Sequence, residues 1–446
     1  MRWKKLLAAV IAFSSLTVAG GVMFEEKVSA EVVEIEQENI VSVTGVAEVF
    51  GDGEKISAAI IEYAKDISPK SVSIRDFKVA DKRIEAVYVN DEPTLTNKNK
   101  TGRYVILKFA YENTAFAGSL ENRKRPNDNP PPQNNPRAGD APMRSNRQLP
   151  DLKFSVQQIG TVRAVDGTKF LPSEKTFAST STLEPVIDSF QQFIYTDPVS
   201  GNSMPYNLYL PRDYNPAKKY PLLFFVADAS ANINEVKTPL FQGNGATSFA
   251  QDKYDCIILA PQYTADLVDK LGMMTTDENI WTDGLELTKN LLFDVINNYA
   301  VDKNRIYGTG QSQGGMANIA ISDRYPDLFA AQLLVACQWN VEEMSALKDK
   351  NLWIVVCEGD TKAFPGMNAA VANWKNLGAR IATNTNFWDS KASIANLNKK
   401  IRQIERQRAN INYTVFAGGN HMYTWSFAYN ISALRDWLFK QNLRRN

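Results

Sequence analysis

Residues 305–325 read RIYGTGQSQGGMANIAISDRY. An apolar run leads into Gly310-Gln311-Ser312-Gln313-Gly314, and a segment with helical apolar spacing follows from Gln313 to Arg324. A G-x-S-x-G pattern alone is a weak signal; a strand before it and a helix after it give it meaning. Flanking glycines let a strand turn sharply into a helix and push the serine into a strained, exposed conformation, and Gly315 adds room for close backbone packing.

Outward from this turn, the same texture repeats. YNLYLP, YPLLFFVAD, DCIILAPQY, AQLLVAC, LWIVVCEGD and INYTVFAGG are short, nearly continuous apolar runs, the pattern of strands buried on both faces. Helical patterns lie between several of them, as from Gly284 to Tyr299. Alternating β and α units predict a doubly wound, mostly parallel sheet, in which active sites lie beyond the carboxyl ends of the strands.

A serine hydroxyl is a poor nucleophile until a base takes its proton. The chain has one histidine, His421, placed after the last apolar run and Gly418-Gly419. A single imidazole argues against a multi-histidine metal site, and nothing calls for a metal or another cofactor. The chain order serine, acid, histidine of α/β hydrolases puts the third member between them. Asp360, closing NLWIVVCEGD, is the preferred carboxylate; Glu358 lies two residues earlier, and Asp389 falls in a polar segment between elements. For the oxyanion, one backbone N–H is expected from Gln313 and another from the loop after YPLLFFVADAS, at Asp228 or Ala229. Trp281, Gln338, Trp339, Phe364, Met422, Tyr423 and Trp425 flank strand ends and are candidate pocket walls, although as a largely aromatic set they are equally at home in a core.

The rest of the 446-residue chain sets the context. Its 44% apolar and 22% charged content is globular, and its length suits two domains. Fifty Lys and Arg against 49 Asp and Glu leave no field to favour nucleic acid or an anionic membrane. Residues 1–30 read as a signal peptide: Arg2, Lys4 and Lys5 precede an apolar stretch, and Val28-Ser29-Ala30 ends in small residues. That predicts a secreted, extracytoplasmic product with no stable membrane insertion after cleavage. Residues 31–180 alternate apolar and polar positions over six or seven short runs, among them ISAAIIEYAK, SVSIRDFKVA and YVILKFAYEN, which predicts an antiparallel β-sandwich. A Pro- and Asn-rich stretch at about 120–150 interrupts it as a disordered insertion within the domain. Residues 181–446 form the second domain. Cys256, Cys337 and Cys357 lie in apolar runs and are expected as buried thiols, not a disulfide framework.

The ordered blocks match a known family. YPLLFFVADAS, CIILAPQY, NRIYGTGQSQGGMANIAISDRYPDLFAA, VVCEGDTKAFPGMN and GGNHMYTWSFAYNISALRDWLF resemble secreted α/β hydrolases of the predicted-peptidase group, related to polyhydroxybutyrate depolymerase-like and feruloyl esterase-like enzymes. VFGDGEKISAAIIEY and RIEAVYVND resemble the immunoglobulin-like domain fused to thermophilic esterases of that group. The resemblance implies Ser312 as nucleophile, Asp360 as acid and His421 as base, and allows a homo-oligomer. One departure is Ala227-Asp228-Ala229-Ser230, where relatives carry His-Gly or His-Asp-Ala-Gly. The expected activity is cleavage of a small or polymeric carboxylic ester through an acyl-enzyme. The alternatives are a serine peptidase of the prolyl oligopeptidase-like type and a surface-binding protein with a vestigial hydrolase domain.

Overall fold

The computed structural model describes residues 39–113, 149–250 and 253–443. The expected signal peptide and most of the Pro/Asn-rich insertion lie outside the described residues. No helix among the described residues is long and apolar enough to cross a membrane.

The N-terminal part is all-β. A five-stranded sheet runs in the order Ser181–Leu183, Ile40–Phe50, Gly53–Ile67, Gly102–Phe109, Ile84–Asn90. A three-stranded sheet of Phe77–Val79, Ser155–Gln158 and Thr176–Ala178 accompanies it. Alternate residues of the larger sheet, including Val43, Ile61, Tyr63, Val105 and Leu107, share one core with Phe77, Val156 and Phe170. Two features depart from the sequence reading. Ser181–Leu183 pairs parallel to Ile40–Phe50, so the sheet is mixed. The run SVSIRDFKVA begins at the last residue of one 3-10 turn, Pro69–Ser71, and forms a second, Ile74–Asp76, and only a three-residue strand, Phe77–Val79. There the Asp76 carboxylate accepts from the Ser73 N–H at 2.6 Å, and this local bond competes with a strand ladder.

From Phe190 the chain enters a nine-stranded sheet in the order Phe190–Thr196, Ser203–Tyr209, Ile257–Pro261, Tyr220–Val226, Val301–Gln311, Ala331–Val335, Leu352–Cys357, Ile411–Phe416, Ile381–Thr383. The first two strands pair antiparallel, as does the second with Ile257–Pro261; all other pairings are parallel. Tyr220–Val226 shows why these strands read as unbroken apolar runs. Leu222, Phe224 and Val226 enter the core beneath the helices Asp283–Asn298, Gln313–Arg324 and Ala363–Asn376. Leu223 and Phe225 enter the opposite core beneath Ile394–Glu405 and Ser432–Lys440. All three cysteines are buried thiols, Cys256 and Cys337 with their pKa values pushed well up by burial.

The two parts are in direct contact. The hairpin turn Gly51-Asp52-Gly53 seats against the helix His421–Ala428: a Cβ at Gly51 would lie 1.8 Å from the Ser426 carbonyl oxygen. Val49, beside the turn, is buried in the same core as Phe241, Trp425 and Phe427.

Candidate active site

The parallel strands end on one edge of the sheet, and Ser312, Asp360 and His421 follow the ends of Val301–Gln311, Leu352–Cys357 and Ile411–Phe416. Ser312 has φ 50° and ψ −122°, a conformation an L-residue holds only under strong local constraint. Close packing imposes it. A Cβ on Gly314 would sit 1.9 Å from the Val226 carbonyl oxygen, and one on Gly310 2.5 Å from the same atom. A Cβ on Gly315 would meet the Cys337 sulfur at 2.5 Å. The glycines are therefore required for space, and they bring the end of Tyr220–Val226 directly against the serine turn. Ser312 N–H donates to the Val335 carbonyl at 3.1 Å, and the helix Gln313–Arg324 starts at the next residue.

His421 joins the other two. Its Nδ1 lies 2.7 Å from Asp360 Oδ2 and its Nε2 2.8 Å from Ser312 Oγ. An ionised carboxylate only accepts, so the proton belongs on Nδ1 and leaves Nε2 bare to accept from the serine hydroxyl. Asp360 is 1% exposed; its Oδ1 also accepts from the backbone N–H groups of Lys362 and Ala363, at 3.0 and 2.9 Å. Burial pushes its pKa up, but the His421 hydrogen bond and charge and these two N–H groups hold the carboxyl below its ordinary range. His421 itself is 32% exposed and opens the helix His421–Ala428. The turn into that helix uses Gly418 and Gly419, both with positive φ.

The competing carboxylates are engaged elsewhere. Glu358 accepts from the Gly418 N–H, steadying the loop before His421, and Asp389 accepts from the Lys391 N–H. The candidate wall residues divide. Tyr423, Trp425 and Trp339 are buried, and Trp339 also lines, with Trp281, a cavity bordered by Asp323 and Arg324. Tyr423 has a 2.7 Å hydroxyl contact with Ser390, and Trp339 donates to Glu343. Trp425 also places its ring edge-on to His421, with centroids 5.2 Å apart. Phe364 meets Phe387 edge-on, Gln338 packs against Gly366, and Trp281 donates to Glu286. Met422 is 55% exposed beside His421.

Asn420, missing from the sequence reading, caps the histidine helix: its Oδ1 accepts from the Tyr423 N–H at 2.9 Å. An Asn directly before an apolar helical run is the signal that would have found it. The loop expected to supply the second oxyanion donor begins at Asp228, whose side chain caps the short 3-10 turn Ala229–Ala231.

Residues 42–171 match the family model described as the esterase Ig-like N-terminal domain. The structure of a thermostable esterase superposes with a TM-score of 0.68 at 24% identity, over 90% of this chain and all of that one. A curated relative, feruloyl esterase B of Talaromyces funiculosus, is 32% identical over 82 residues, 18% of this chain. That match spans about a quarter of the relative, 23% of its length. The chain thus joins an Ig-like N-terminal domain of the type that precedes esterases to an α/β-hydrolase fold.

Proposed function

We propose that this protein is a serine hydrolase that cleaves carboxylic esters through an acyl-enzyme intermediate. The observation that carries this reading is the continuous hydrogen-bonded line from Ser312 Oγ through His421 to Asp360 at the ends of three parallel strands. Ser312 Oγ attacks the ester carbonyl carbon while His421 Nε2 takes its proton. The tetrahedral oxyanion is held by backbone N–H groups, among them that of Gln313 at the positive end of its helix. The intermediate collapses as His421 returns the proton to the departing alcohol. Water then attacks the acyl-enzyme with His421 as base, releasing the acid and restoring Ser312. Asp360 stays ionised throughout and stabilises the imidazolium.

The Ig-like domain match and the esterase relatives support the ester over the amide. Residues 1–30 support export. The test is a panel of short- and long-acyl nitrophenyl esters, feruloyl esters and peptidyl amides, run on wild type and Ser312→Ala together. Ester turnover that disappears in Ser312→Ala is expected; turnover restricted to the amides would favour a peptidase, and turnover that survives the substitution would overturn the mechanism.

A further inference from the structure

Both variable positions of Gly310-Gln311-Ser312-Gln313-Gly314 are glutamines, both are buried, and each reaches the loop that follows Tyr220–Val226. Gln311 Nε2 donates to Asp228 Oδ2 at 3.2 Å, and Gln313 Nε2 donates to Asn232 Oδ1 at 3.2 Å. The residues on either side of Ser312 thus hold the two ends of the segment Asp228–Asn232. Asp228 is 3% exposed, and no cation pairs with it among the described residues. Its other oxygen, Oδ1, accepts from Ser230 N–H at 2.9 Å, from the Ser230 hydroxyl, and from Gln242 Nε2 at 3.3 Å. Gln311 is fixed from its far side as well, where its Oε1 accepts from the Tyr429 hydroxyl at 3.3 Å. A buried carboxylate fully occupied by neutral donors is costly to build for stability alone. Its place beside the serine turn gives it a different use.

We propose that Asp228 and Asn232 are positioning residues that hold the loop between them in register with Ser312, through Gln311 and Gln313. The proposal rests on the acyl-transfer reading above. An oxyanion donor works only at hydrogen-bond distance from the developing charge, and that charge forms at a position fixed by Ser312. Coupling the loop to both neighbours of the serine makes the two move together, which an unconnected loop would not do. It also accounts for the acidic residue at 228: a carboxylate can accept from Gln311, Gln242 and Ser230 at once.

A swap tests this. In Asp228→Asn the new amide nitrogen can face the Gln311 amide nitrogen, donor against donor. In Gln311→Glu two carboxylates face each other. The double substitution Asp228→Asn/Gln311→Glu restores one donor and one acceptor, leaves Tyr429 an acceptor, and leaves Ser230 and Gln242 an acceptor at 228. Each single variant should lower ester kcat about ten- to a hundred-fold, less than the ~10²–10³ for deleting an oxyanion donor, with KM nearly constant. The double should recover most of that loss, a coupling read from the double-mutant cycle. Thermal unfolding and fluorophosphonate titration of active sites, run alongside, keep misfolded protein out of kcat. Singles within two-fold of wild type, or a double no better than the product of the singles, would overturn the positioning role. Wild type that neither turns over esters nor takes up the probe would overturn the reading beneath it and this proposal together.

Discussion

At the scale of single residues, three side chains separated by long stretches of sequence converge within hydrogen-bond distance. Ser312→Ala and His421→Ala should each lower kcat by at least about 10³-fold, and combining them should add little, because such residues act as a unit. Steady-state kinetics on purified, folded variants checks both statements. Asp360→Asn should cost ~10⁴-fold in kcat while leaving the protein folded, since an amide there favours the wrong imidazole tautomer. This convergence is legible in the sequence because all three residues follow buried apolar runs, and a doubly wound sheet brings such strand ends to one edge. The wall residues are not legible in the same way. Tyr423 and Trp425 lie two and four residues past His421, and only the rotation of their helix decides that they go into the core while Met422 faces out.

At the scale of elements, the histidine is set by the start of its helix. Asn420→Ala removes the cap and should cost about 1 kcal/mol of stability. Because His421 is the first helical residue, kcat should fall several-fold as well, a result that unfolding and kinetics on one preparation would reveal. The nucleophile helix carries a separate titratable group near its end. Burial, with a smaller contribution from Glu343, raises Asp323 from an ordinary 3.8 to about 7, and neither of its oxygens has a partner among the described residues. The fold therefore favours the protonated carboxyl. Its stabilising effect is fully present below about pH 4 and is lost as pH rises through 7. Asp323→Asn should match wild type in acid and exceed it in melting temperature at pH 8; equal differences across that range would refute the assignment. A short segment such as SVSIRDFKVA misleads at this scale because Ser73 and Asp76 offer the backbone hydrogen bonds that compete with a strand.

At the scale of the whole molecule, the change of period from alternating to continuous apolar runs makes two architectures legible. How they meet is not legible, since Gly51 reads as an ordinary turn glycine. Its contact with the Ser426 carbonyl leaves no room for a side chain, so Gly51→Ala should cost about 1–3 kcal/mol by overpacking. Calorimetry should show this as a lowered melting temperature. The shift would travel along the helix that begins at His421, so kcat should fall too. A second group beside this contact gives a pH test. Burial, then the charge of Glu184, raises Glu54 from 4.5 to about 8, so its contribution to stability fades as pH rises through 8 and Glu54→Gln should remove that slope. All of these effects presuppose that the fold activates one serine. The most direct measurement is peptide mass spectrometry of the full-length protein after reaction with a fluorophosphonate. A single adduct on Ser312, absent in His421→Ala, is expected; an unmodified Ser312 under conditions that label a control hydrolase, or an adduct formed equally without His421, would rule out activation of Ser312 by His421.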